Sequence, residues 1–135
     1  MTTLSLELAK ELQQICKEKN IPMPEPELMW IPYKDIVIGR VGTHFHYFNP
    51  VFRNKNYYSL IKEDWHKAYT LDELLEWLPE YIYEGLTYEL LRFKKKENGY
   101  DAYYEYNSQF NCYSDPNPCD ACGKLLIWLL KEGLI

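Results

Sequence analysis

The sequence predicts an α+β fold: an antiparallel sheet of about four to five strands, with three helices packed mainly on one of its faces. Three observations carry this. Two segments, about Leu6 to Lys19 and Asn117 to Ile135, have helical periodicity with marked ends. Several short segments rich in β-branched or aromatic residues are joined by connections too short for a parallel crossover. Finally, Asn98-Gly99 sits at the centre of a stretch that reads as a β-hairpin.

The elements follow in order. Leu8, Leu12, Ile15 and Cys16 recur at helical spacing with Ala9 beside them, and Ser5 is placed to cap them. Pro22, Pro24 and Pro26 end this helix and impose an extended connector. Leu28–Tyr33 and Ile36–Val41, separated by Lys34-Asp35, are expected strands, with Pro32 marking an edge or an end. His44–Phe48 is an expected third strand, and residues 49–68 have no clean period. Thr70-Leu71-Asp72-Glu73 is a capping box, in which hydroxyl and carboxylate each satisfy the other residue's backbone N–H. Leu71, Leu74, Leu75 and Leu78 line the short helix behind it, and Pro79 stops it.

A two-residue loop at Asn98-Gly99 puts Glu97 opposite Tyr100 and fixes the rest of the register. Arg92 then faces Glu105, Lys96 faces Asp101 and Lys94 faces Tyr103 on one side. Leu91 meets Tyr106, Phe93 meets Tyr104 and Lys95 meets Ala102 on the other. The last helix has Asn117 as N-cap, Pro118 in its first turn and Asp120 near its positive end. Lys131 lies near its negative end, and Gly133 is placed for a left-handed cap. Leu125–Leu130 is apolar throughout, so this helix must be covered all round, by its own domain or by a partner.

With 135 residues, 47% apolar and 16% aromatic, the chain is expected to form a single domain, residues 1–135, around a real core. The net charge of −5 disfavours a dedicated nucleic-acid binder. Six apolar residues in a row fall far short of the roughly 18 that a membrane span needs. The start, M-T-T-L-S-L-E-L-A-K-E, lacks a basic region followed by an apolar one, so a cytoplasmic location and reduced thiols are expected.

Few constellations carry chemistry. Cys119 and Cys122 have C-x-x-C spacing, and Cys112 lies seven residues earlier. The trio resembles an incomplete zinc site, for which His44, His46 or His66 would have to supply a ligand in space. The pair also resembles a redox dithiol acidified by a helix N-terminus, but the preceding N-C-Y-S-D-P-N-P reads as a loop rather than a βαβ strand. Small apolar residues on the core side of a helix is the reading favoured over both. His44 and His46 share one face of a strand with nothing spaced to complete a metal site. Thirteen tyrosines interleave with cations at Arg92, Lys94, Lys96 and Tyr103, and at Arg53, Lys55, Tyr57 and Tyr58. Such a surface suits protein contacts and, as an alternative, single-stranded nucleic acid on the hairpin. No phosphate loop or nucleophile motif occurs, so no catalytic or cofactor-binding residue is assigned.

T-L-D-E-L-L-E-W-L-P (Thr70–Pro79) and L-L-I-W-L-L-K-E-G-L-I (Leu125–Ile135) resemble small uncharacterised proteins encoded by phages and prophages of gut-type bacteria. In those, a capped short helix precedes a tyrosine-rich hairpin, and an apolar helix closes the chain. The resemblance covers the second half and, loosely, the first helix; residues 20–68 have no counterpart. It departs at Cys119 and Cys122, where alanine or leucine is expected. It implies a fold and a phage-associated context, with no catalytic residue. The expected function is therefore a small non-catalytic accessory or protein-interaction protein, with self-association or a protein partner at the C-terminal helix. A Cys/His zinc module is the alternative.

Overall fold

A computed structural model describes residues 2–37, 40–48, 65–84, 87–105 and 112–135. The element order is α1 (Leu6–Lys19), β1 (Met29–Val37), β2 (Arg40–Phe48), β3 (His66–Lys67), α2 (Leu71–Trp77), β4 (Tyr81–Glu84), β5 (Thr87–Lys96), β6 (Gly99–Glu105), β7 (Cys112–Asp115) and α3 (Pro118–Lys131). The class is α+β, as expected. The strands, however, form two antiparallel sheets, ordered β2-β1-β3 and β4-β5-β6-β7, where the sequence suggested one. Among the described residues no helix is long and apolar enough to cross a membrane.

The helix ends are where the sequence puts them. The Ser5 hydroxyl accepts from the Leu8 N–H, and α1 closes on Asn20 in the left-handed region (φ 56°), a conformation asparagine tolerates. At α2 the Thr70 N–H donates to Glu73 Oε1 (2.9 Å) and the Glu73 N–H to the Thr70 hydroxyl (3.4 Å), which completes the capping box. At α3 Asn117 Oδ1 accepts from the Cys119 N–H, and Gly133 takes φ 68°. Asp120 does more than complement the dipole: it accepts the Ser5 N–H at 2.7 Å, fastening the chain before α1 to the start of α3.

The strand expectations needed three corrections. Lys34-Asp35 does not separate two strands: Lys34 pairs with Thr43 and Asp35 with Gly42 in one continuous β1–β2 ladder. Neither residue removes a backbone donor, so nothing there stops the ladder. Pro32 neither ends β1, which runs to Val37, nor lies on an edge strand of the described order; it sits past the short β3 pairing, which involves only Met29 and Trp30. Next, Cys112–Asp115 is a strand, not part of a loop, because its backbone pairs with Tyr103–Tyr100 of β6.

The third correction concerns the hairpin. Lys96 pairs with Gly99, so the loop is Glu97-Asn98 and the register is offset by two from the expected one. An even offset leaves every side chain on its expected face. The opposite charges therefore still meet, but diagonally: Arg92 Nε lies 3.4 Å from Glu105 Oε2, Lys96 bridges Asp101, and Lys94 Nζ stands 5.9 Å from the Tyr103 ring. Asn98 has no positive φ; Gly99 alone supplies it (147°). The expected pairing of Leu91 with Tyr106 lies outside the described residues, and Leu91 instead faces Tyr104.

The inner face of the four-stranded sheet contributes Ile82, Leu91, Phe93, Ala102, Tyr104 and Tyr113 to the core. α3 crosses this core, contacting α1, α2, β6 and β7. Leu125, Leu126 and Leu129 are fully buried, Leu130 and Ile127 nearly so, and Trp128 is half-buried. The apolar run is thus covered by the chain's own fold.

Candidate interaction surface

The cysteines are dispersed. Cys119 and Cys122 are fully buried on α3, Cys16 is buried on α1, and Cys112 is exposed on β7. Burial pushes the Cys122 thiol up to about 12, with Cys119 adding to it. Burial also raises Cys119, against a weaker lowering by the Thr2 hydroxyl beside its Sγ. Desolvation therefore outweighs any acidification by the helix start, and both thiols are shut away from solvent. A strand does precede the pair, but its antiparallel neighbour is β6, so the setting is not βαβ. Among the described residues no three His, Cys, Asp or Glu side chains are grouped to hold a metal. Native protein treated with iodoacetamide is expected to take one label per chain, at Cys112, and four after unfolding. Peptide mapping that finds Cys119 or Cys122 labelled in the native state would contradict their burial.

His44 and His46 pair through their backbones with Tyr33 and Ile31, and their side chains lie outside the described part of the structure. His66 sits apart, with Nδ1 3.3 Å from Gln13 Oε1. Arg53, Lys55, Tyr57 and Tyr58 also lie outside the described residues.

Arg92 and Lys96 are engaged by carboxylates, and Lys94 stands near the Tyr103 ring. Two of the three cations on this strip are thus taken up by carboxylates, which gives single-stranded nucleic acid less to follow than an open cationic track. At its far end Asp101, nearly buried, joins Lys96 to the Ser114 hydroxyl, which donates to Asp101 Oδ1 at 2.5 Å. A cavity of about 470 Å³ opens beside these groups. Lys96 first, then Ser114, hold the Asp101 carboxyl below the usual range. A carboxylate so stabilised is a weak base, so it does not activate Ser114 as a nucleophile. The cluster pins β5, β6 and β7 together.

Its pH dependence follows. A carboxyl whose folded pKa is depressed contributes stability that is full above its unfolded pKa, near 3.9, and is lost as pH falls through the folded value. Asp101→Asn is therefore expected to cost stability in urea denaturation at pH 7. The gap to the wild type should narrow steadily below about pH 4. A gap independent of pH would mean that the charge on Asp101 contributes nothing.

The opposite end of the same outer face is different. Tyr81 and Tyr83 alternate along β4, 45% and 65% exposed, with ring centroids 5.2 Å apart and edge-to-face at 83°. Leu90, 37% exposed, is directly opposite Tyr81, and Glu105 is directly opposite Leu90. Tyr81, Leu90 and Glu105 thus form one row across three strands. Among the described residues the large exposed apolar side chains are these three, Tyr81, Tyr83 and Leu90, together with Ile135. The exposure is clustered rather than scattered, which makes this face the candidate contact surface.

Sequence reasoning missed this strand. Tyr81-Ile82-Tyr83 was legible as a period of two directly after Pro79, with a buried residue between two exposed ones. No protein-family model, curated protein or solved structure matches the chain.

Proposed function

We propose that this is a small, non-catalytic protein-interaction protein of the phage or prophage accessory kind, acting in the cytoplasm through the Tyr81–Tyr83–Leu90 face. The observation that carries the reading is the edge-to-face tyrosine pair left solvent-exposed beside Leu90. Tyrosine offers a large contact area with few rotatable bonds, which is why it is enriched where proteins meet. The apolar run of the C-terminal helix is buried in its own fold, which favours the tyrosine face over that helix as the contact element. The zinc and nucleic-acid alternatives have no geometric support in the cysteine and hairpin arrangements described above.

A photo-crosslinking amino acid at position 83, introduced in the cell that produces the protein, is expected to give a discrete protein adduct identifiable by mass spectrometry. The same group at Glu18, exposed on α1, is expected to give none. Equal adducts at both sites, or none at either, would remove the reading.

A further inference from the structure

We infer that the partner taken by this face is basic: a protein segment carrying arginine or lysine among apolar side chains. The inference rests on the interaction reading above and adds the partner's chemistry. Its apolar groups would lie on Tyr81, Tyr83 and Leu90, and its cations against Glu80 and Glu105 at their edges.

The charge pattern motivates it. Between Lys67 and Arg92 the chain has six acidic residues, Asp72, Glu73, Glu76, Glu80, Glu84 and Glu89, and no lysine, arginine or histidine. Glu89 is buried on the inner face and Glu73 is held in the capping box, whereas Asp72, Glu76 and Glu80 are exposed and carry surface charge. The whole chain has 20 acids to 15 bases, so this local asymmetry is far sharper than the average. The same stretch builds α2, β4 and the start of β5, and therefore contains all three exposed apolar side chains of the patch. Glu80, exposed, immediately precedes Tyr81, and Glu105 ends the Tyr81–Leu90 row. The first cation beyond the stretch, Arg92, is held by Glu105 at 3.4 Å, with both side chains about half exposed. A pair so exposed is screened and readily exchanged for a partner's cation.

The same pattern argues against a second copy of the chain as occupant. A two-fold contact places identical patches together, so carboxylates would meet carboxylates. Arginine is also suited to the tyrosines, since a guanidinium is attracted to the face of an aromatic ring. Three exposed side chains fall well short of the roughly 800 Å² per partner of a standard stable interface. The contact should accordingly be transient and sensitive to salt.

The test uses the ¹⁵N-labelled full-length protein and two nine-residue peptides, one alternating leucine with arginine and one alternating leucine with glutamate. The arginine peptide is expected to shift the amide resonances of β4, Leu90 and Glu105. It should bind at least about tenfold more tightly than the glutamate peptide at low salt, with the difference shrinking in high salt. Tyr83→Ser, a change at an exposed position, should weaken the arginine peptide without disturbing the core resonances. Equal binding of both peptides, salt-insensitive binding, or shifts confined to other surfaces would overturn the inference. A crosslinked partner at position 83 that proves to be a second copy, or an acidic segment, would also overturn it while leaving the interaction reading in place. Absence of any adduct would instead remove that reading.

Discussion

Leu126→Ala is expected to lower the unfolding free energy by about 3 kcal/mol, the middle of the range for truncating a buried leucine. Leu126 is fully buried in a helix that touches α1, α2, β6 and β7, so no single neighbour can collapse into the space vacated. The cost is then the lost transfer energy plus that of the residual cavity. For a chain of this size the melting temperature should fall by roughly 10 °C. Urea denaturation with calorimetry checks both figures. A loss below about 1 kcal/mol would mean that α3 is not the centre of the core. Lys131→Ala, five residues from Leu126 in sequence and paired with Glu11 at the exposed surface, should change stability by less than about 0.5 kcal/mol.

Gly99→Ala is expected to cost about 2–3 kcal/mol. Two penalties combine. The φ of 147° is one that L side chains rarely adopt, and an added Cβ would lie 2.7 Å from the Asp115 carbonyl oxygen. That oxygen is backbone, so relief requires β7 to move away from the hairpin and loosen its pairing with β6. Gly133 provides the comparison: it also has positive φ, 68°, but nothing lies within 4 Å of a Cβ there. Gly133→Ala should show only the backbone penalty, about 1 kcal/mol. Equal losses at the two glycines would mean that the close approach of β7 contributes nothing. Amide exchange along Cys112–Asp115 should rise in Gly99→Ala and stay unchanged in Gly133→Ala.

These two sites also mark how far the sequence could be read. The importance of Leu125–Leu130 was legible, because six consecutive apolar residues on a capped helix admit no solvated face. What covers them was not. The sequence left self-association open, whereas the structure closes the run with α1, α2 and the four-stranded sheet. At the hairpin the two faces were legible from alternation, but the register was not. Asn98-Gly99 suggested a loop centred on both residues, and the structure centres it one residue earlier. Alternation has a period of two, so it cannot distinguish registers that differ by two. The distinguishing contact is with Asp115, sixteen residues further on, on a strand that the sequence suggested was a loop.

The exposed Tyr81–Tyr83–Leu90 face shows the same division. Its tyrosines are visible in the sequence, but their exposure depends on β4 lying at the end of the described sheet order with Ile82 turned into the core. By itself the sequence determined the helices, their caps, the faces of the hairpin and the need to bury the last helix, because these depend on side chains a few residues apart along the chain. The tertiary structure alone decided the split into two sheets, the hairpin register, and the aromatic face left in solvent. Each of those depends on backbone and side chains distant in sequence competing for the same space, and periodicity carries no record of that competition.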